Sequence, residues 1–226
     1  MGEALSGESS WNRDLVASYD RAAERYAETF FHELDRKPFD RELLDAFAQA
    51  VRDRGRVCDL GCGPGHVAAY LKNRGVDVFG IDISPQMISI ATRLNPAIAF
   101  RRGDMLALDL PGGGLAGIAA FYSLIHLSRA SVARALREIH RVLAPGGLLL
   151  VSIHGGDGEL HVDEFLGVPA SIDATLFQPE EMAQYMSQAG FTVDTIVTRP
   201  PYEFEYQTTR VYVRATSADY SRAGHA

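Results

Sequence analysis

The sequence predicts a doubly wound α/β domain, and three observations predict it. Val57-Cys58-Asp59-Leu60 is a short, largely apolar run that meets a glycine loop, Gly61-Cys62-Gly63-Pro64-Gly65, after which His66 to Leu71 reads as the first turns of a helix. Strand-like and helix-like patterns alternate from there onward, which implies parallel strands joined by right-handed crossovers. Leu148 to Ile153 is an unbroken apolar run apart from Ser152, the pattern of a central strand covered on both faces. The length agrees: 226 residues, 46% of them hydrophobic, suffice for one domain with a large core.

The elements follow in order. Residues 1–11 are polar, rich in Gly, Ser and Glu, and lack a signal-peptide core, so they are expected to form a disordered leader. From Asn12 to Leu34, Leu15, Val16, Tyr19, Ala22, Ala23, Tyr26 and Phe30 recur at helical spacing. A second helix follows Pro38 through Leu43, Leu44, Phe47 and Val51. Residues 12–53 are thus an N-terminal helical segment, 56–215 the core of the single domain, and 216–226 a tail. The core begins with a strand to Leu60 and a helix to Asn73. A strand over Asp77–Asp82, a helix to Asn95 and a strand over Ile98–Arg102 come next. Ser84-Pro85 supplies an N-cap and a first-turn proline for the helix after Asp82. Ala116–Phe121 is the fourth strand. Ser131–Leu143 is an amphipathic helix that Ala144-Pro145-Gly146-Gly147 stops. After Leu148–Ile153 comes a glycine-rich loop, then a helix over Pro179–Ala189, and two β-rich segments, Phe191–Thr198 and Thr209–Ala215.

The glycine loop separates two ligand classes. A dinucleotide loop reads G-x-G-x-x-G and holds a pyrophosphate at the helix N-terminus. Here Asp59-x-Gly61-x-Gly63-x-Gly65 places an acid ahead of the glycines and shortens the last interval. An acid at that point repels a pyrophosphate and suits a cationic head. Asp82 lies about 20 residues beyond the loop, where a carboxylate accepts hydrogen bonds from a ribose diol. The 59–65 stretch resembles motif I of the class I S-adenosylmethionine-dependent methyltransferases, of the bacterial small-molecule type that includes the ubiquinone/menaquinone-biosynthesis-like group. The resemblance covers about residues 12 to 215.

The resemblance implies a Rossmann-like sheet of seven strands, the last antiparallel, with the N-terminal helices capping its open end. It implies S-adenosylmethionine as cofactor and S-adenosylhomocysteine as product. The expected cofactor residues are Asp59, Gly61, Cys62, Gly63 and Gly65 in the loop, with Asp82, Ile83 and Met87 beyond the second strand. After the third strand it adds Gly103, with Asp104 for the adenine amino group and Met105 packing on the ring. Tyr122 and Ser123 follow the fourth strand. Tyr19 and Tyr26, seven residues apart on one helix face, sit in a segment, Tyr19-Asp20-Arg21-Ala22-Ala23-Glu24-Arg25-Tyr26, resembling one that covers the cofactor in many relatives; core packing is the competing reading.

Ligands in such sheets bind outside the carboxyl ends of the strands. The loops after the fourth and fifth strands are therefore expected to hold the acceptor. They carry His126 and His154, the candidate bases, since imidazole titrates near neutrality. Packing against the cofactor is the alternative for His126. His154, His161 and Asp163 are too scattered for a metal site, and none is expected. Pro200 to Tyr206, dense in aromatics and acids, is either an acceptor wall or a surface or dimer contact.

Net charge is −7 and no dense Lys/Arg tract exists, which argues against a nucleic-acid substrate. No apolar run is long enough to span a membrane. Cys58 and Cys62 are expected to be free thiols in a cytoplasmic protein. The Asn/Asp-Pro-Pro-Tyr/Phe motif of many enzymes methylating nucleic acid or protein is absent after the fourth strand. The expected activity is methyl transfer to an oxygen or nitrogen of a small metabolite by a monomer or homodimer. The rival reading is a protein that binds the same cofactor without methylating, such as a cyclase or regulatory module.

Overall fold

The computed structural model describes residues 3–218, with side chains from residue 14 onward. Its seven-stranded sheet has the order β3-β2-β1-β4-β5-β9-β8. Strands β1 (Val57–Leu60), β2 (Val78–Asp82), β3 (Ala99–Arg102), β4 (Leu115–Phe121) and β5 (Leu143–Gly155) all run parallel. The last strand, β9 (Thr209–Ser217), inserts antiparallel between β5 and β8 (Phe191–Arg199). This is the mostly parallel, Rossmann-like architecture that the sequence predicts. The chain reverses direction of winding between β1 and β4, so the crevice beyond Leu60 and Phe121 is the switch point.

The apolar runs sit where burial demands. All four residues of β1 are buried, and Leu149, Val151 and Ile153 of β5 are wholly so. On one face, α2 (Pro38–Val51) and α3 (His66–Lys72) cover Val57, Val78 and Leu150; on the other, α5 (Arg129–Val142) and α6 (Pro179–Gln188) cover Ile118, Leu149 and Val213. The helix α4 (Pro85–Leu94) starts as expected: Met87 N–H donates to Ser84 Oγ at 3.0 Å, with Pro85 in the first turn.

Helix α1 spans Glu3–Phe30, taking in residues 3–11 as well, so the boundary expected at residue 12 is not where the helix begins. Met1, Gly2 and residues 219–226 lie outside the described residues. The helix also ends before the predicted Leu34. A separate 3-10 turn, Glu33–Arg36, follows it, and Lys37 leaves helical geometry ahead of Pro38, as a residue preceding proline tends to do.

The larger departure is the segment after β5. The expected glycine loop contains a hairpin, β6 (Glu159–Phe165) and β7 (Val168–Thr175), which forms its own two-stranded sheet. Its turn uses Leu166 and Gly167 at positive φ, 54° and 73°. The hairpin docks on α1. Arg25 Nη1 donates to the Leu166 and Gly167 carbonyls at 2.8 and 3.0 Å, Arg21 Nε to the Pro169 carbonyl, and Ser171 N–H to Ser18 Oγ. Together α1 and the hairpin roof the switch-point crevice.

Candidate functional site

The glycine loop is shaped by close approach. Gly61 lies at φ +73°, and a Cβ there would sit 2.2 Å from Ser123 Cβ, so only glycine lets β1 and the loop after β4 meet. The Gly61 and Cys62 amides both donate to the Ile81 carbonyl, at 2.7 and 3.0 Å, which fixes the loop against β2. Gly63 N–H then donates to Asp82 Oδ2 at 2.8 Å, while Ser84 N–H donates to Oδ1 at 2.9 Å. Asp82 is thus aimed by two backbone amides, and each oxygen retains a lone pair. Burial pushes its carboxyl up; the Ser84 and Gly63 amides oppose this. Among the described residues no cationic side chain bonds it, which leaves the acid available to a polar or cationic ligand.

One continuous pocket, with about 750 Å³ of empty space, opens on these groups. Of the predicted cofactor residues, Gly61, Gly63, Asp82, Ile83 and Met87 line it. So do Gly103, Asp104, Met105, Tyr122 and Ser123, together with Tyr19 and Tyr26 from the roof. Asp104 is oriented by Leu106 N–H, which donates to Oδ1 at 2.9 Å. Ser123 Oγ donates to the Leu60 carbonyl, tying β4 to β1 at the crevice. Tyr122 holds an uncommon backbone, φ 53°, anchored by its N–H to the Ser152 carbonyl.

Three predicted cofactor residues stand off the wall. Asp59 is buried beneath the loop, where Oδ2 accepts from Ala68 N–H at 2.9 Å. It stabilises the start of α3 rather than facing a ligand's cationic head. Burial pushes its carboxyl up to about 7. Gly65 begins α3 at φ +83°, with the Phe100 ring where a Cβ would go. Cys62 is buried against β2.

The two candidate histidines part company. His126 lines the pocket. Its Nδ1 lies 3.0 Å from the Asp173 carbonyl of β7, which can only accept, so Nδ1 carries the hydrogen. Nε2 is then the acceptor for Tyr19 O–H at 2.7 Å. Burial keeps this imidazole below its usual basicity and raises the Tyr19 hydroxyl above its own. His154 is not on the wall. It packs behind the Tyr122 ring, with ring centroids 5.2 Å apart, and meets Thr208 Oγ1 and Arg210. Burial and the Arg210 charge push it down to about 3. The expectation of a second base there is corrected.

The Pro200–Tyr206 stretch is also absent from the wall. Glu205 turns inward into a buried ionic cluster, bonding Arg199 at 2.7 Å and Lys37 at 3.2 Å; Arg199 also bonds Asp40 at 3.0 Å. This clamps the start of α2 to the end of the β8–β9 hairpin. Tyr206 stands outside, 59% exposed. His161 is on the hairpin between Asp163 and Asp173, apart from His154. Sequence reasoning missed Leu15, Phe121 and Leu127 on the wall, and Asp173 behind it. The signal for β7 was present, since Ala170-Ser171-Ile172-Asp173 continues an alternating segment after Leu166-Gly167.

A glycine cradle, an amide-aimed acid ending β2, a second acid after β3 and, among the described residues, no Lys or Arg on the wall fit a ligand with an adenosine end and a positively charged tail. That is the site of a class I methyltransferase. Comparisons with known proteins agree. Residues 57–147 match the methyltransferase domain family. The chain is 33% identical over 167 residues to the demethylmenaquinone methyltransferase of Thermus thermophilus, a match covering 61% of this chain and 74% of that one. It is 30% identical over 148 residues to a malonyl-[acyl-carrier protein] O-methyltransferase of Enterobacter lignolyticus, covering 63% of this chain but only 54% of that relative. The fold matches a solved S-adenosylmethionine-dependent methyltransferase from Methanosarcina mazei with a TM-score of 0.69, at 16% identity over 75% of this chain and 95% of that one. The chain belongs to the class I S-adenosylmethionine-dependent methyltransferases, and S-adenosylmethionine is its cofactor.

Proposed function

We propose that this enzyme transfers a methyl group to an oxygen or nitrogen of a small metabolite. The observation that carries the reading is the single pocket in which Asp82 and Asp104 share a wall with the Tyr19–His126 pair. The named relatives support it: one is a demethylmenaquinone methyltransferase, another a malonyl-[acyl-carrier protein] O-methyltransferase. S-adenosylmethionine, when bound, supplies a methyl on a sulfonium centre that needs no further activation.

The residues then divide by task. Asp82 receives the ribose hydroxyls, held in place by the Gly63 and Ser84 amides. Asp104 receives the adenine amino group, with Met105 against the ring. Gly61 and Gly63 let the cofactor's amino-acid tail lie on the backbone, and Tyr26 covers it. Tyr19, Leu15 and the hairpin exclude water, and alignment in a closed pocket supplies several kcal/mol of the acceleration. A proton is held at Tyr19 Oη and can move to His126 Nε2. Among the described residues no helix is long and apolar enough to cross a membrane.

Incubation with methyl-labelled S-adenosylmethionine and a metabolite extract tests the reading. The expected result is S-adenosylhomocysteine release with label on oxygen or nitrogen of a small organic product. Label found only in protein or RNA overturns it.

A further inference from the structure

The wall left over once the cofactor residues are assigned is apolar and aromatic. Leu15, Phe121 and Leu127 stand beside the rings of Tyr19, Tyr26 and Tyr122. Among the described residues its acids are Asp82 and Asp104. No Lys or Arg among the described residues lines it, and the cations around its Tyr19 and Tyr122 side are held elsewhere. Lys37 Nζ lies 5.1 Å from the Tyr122 ring centroid, on the cluster side, held by Glu33 at 2.8 Å and Glu205 at 3.2 Å. Arg199 is held by Asp40 and Glu205, and Arg210 by Glu205 at 3.5 Å. Arg21 and Arg25 are committed to hairpin carbonyls. A carboxylate or phosphate acceptor would meet two acids and, among the described residues, no Lys or Arg on the wall, and burying an unpaired charge is costly.

The wall also offers one route for a proton. His126 spends Nδ1 on the Asp173 carbonyl, and Tyr19 O–H occupies Nε2. The Tyr19 oxygen therefore links an acceptor in the pocket to the imidazole Nε2. Resting on the methyl-transfer reading above, we infer that the acceptor is a small uncharged molecule with a flat apolar body and an acidic hydroxyl, a phenol or enol, seated against Tyr19. The acceptor oxygen bonds the methyl carbon as the carbon–sulfur bond breaks, its pair staying on sulfur. The hydroxyl proton passes to the Tyr19 oxygen while the Tyr19 proton passes to His126 Nε2. Positive charge moves from sulfur to imidazole, so the closed pocket gains no net charge during the step.

Three one-ring probes test this: methyl 4-hydroxybenzoate, benzoate and benzylamine. Each is titrated calorimetrically into the protein saturated with S-adenosylhomocysteine, then incubated with S-adenosylmethionine. The phenol is expected to bind, and benzoate and benzylamine to bind roughly tenfold or more weakly. The methyl group should appear on the phenol oxygen. Tyr19→Phe should keep phenol binding while methylation falls about a hundredfold or more, and His126→Gln should lose methylation likewise with melting unchanged. Tighter binding or methylation of benzoate or benzylamine, no binding of the phenol, or full turnover by Tyr19→Phe overturns the inference. Failure of the wild type to bind S-adenosylmethionine would instead overturn the methyl-transfer reading beneath it.

Discussion

Asp59 makes a quantitative prediction about stability. Its carboxylate is 1% exposed, and its one paired amide is Ala68 N–H. Burial pushes the group up to about 7 from 3.8, helped by the Asp82 charge and opposed by His66 and the Ala68 amide. The folded protein therefore holds this proton more tightly than the unfolded chain does. Stability from the raised group is fully present below the unfolded value and is lost as pH rises through the folded one. Each pH unit inside that window costs about 1.4 kcal/mol, so the interval from pH 5 to pH 7 removes about 3 kcal/mol. Asp59→Asn keeps an acceptor for Ala68 and cannot ionise. The stability of the variant relative to wild type should therefore climb by about 3 kcal/mol from pH 5 to pH 7 and flatten above. In melting temperature that is about 6–12 °C for a chain of this size. The assay is urea unfolding of both proteins at matched ionic strength across pH 5–8. The comparison must be differential, because His126 and His154, held below their usual range, lose stability in the opposite direction on acidification. Parallel stability curves for the two proteins would refute the argument.

Two further substitutions follow from the same geometry. Gly65→Ala puts a Cβ 2.7 Å from the Phe100 ring at φ +83°, so urea unfolding should show a loss of about 2–4 kcal/mol. Arg199→Met leaves Asp40 and Glu205 buried without their guanidinium, and should cost about 3–5 kcal/mol near neutrality. Burial would raise Glu205, but Arg199 and the Tyr202 amide hold it at about 2. In the variant Glu205 keeps Lys37 and Arg210 but loses the Arg199 bonds, so protonating it below about pH 4 relieves the weakened cluster and the gap between variant and wild type should narrow there.

That Gly61, Gly63 and Asp82 meet in one pocket was legible because the grouping is local. The spacing of Gly61, Gly63 and Asp82 follows from one strand–loop–helix unit and the strand beside it. Sequence neighbours therefore become spatial neighbours. Asp59 shows the limit of that logic. Position in the motif says that an acid stands before the loop, but which way its side chain turns depends on the amides at the start of α3. The two histidines show it again. Both stand at the expected ends of sheet strands, His126 just past β4 and His154 in the last residues of β5, yet β9 places Arg210 beside His154 while β7 places the Asp173 carbonyl beside His126. Those contacts join residues 56 and 47 positions apart, and no periodicity encodes them. The hairpin was hidden by its glycines, Gly155, Gly156 and Gly158, which read as a loop although strands begin directly after them.

The roof has a consequence for how the cofactor enters. Tyr19 and Tyr26 pack with Phe165 of the hairpin at centroid distances of 6.0 and 6.1 Å, so α1 and β6–β7 cover the crevice as one packed layer. Among the described residues, Asp82 and Asp104 beneath that layer have no Lys or Arg partner. A ligand carrying positive charge under the roof supplies the missing counter-charge, and its binding should therefore be felt in the stability of the whole sheet.

The central claim is that this pocket holds S-adenosylmethionine through Asp82. Calorimetric titration of S-adenosylmethionine into the wild type and into Asp82→Ala tests it most directly. Binding by the wild type that the substitution weakens by at least roughly tenfold, about 1.4 kcal/mol, is the predicted result. Equal binding by both proteins would contradict the role of Asp82, and a wild type that binds a nicotinamide dinucleotide but not S-adenosylmethionine would contradict the account as a whole.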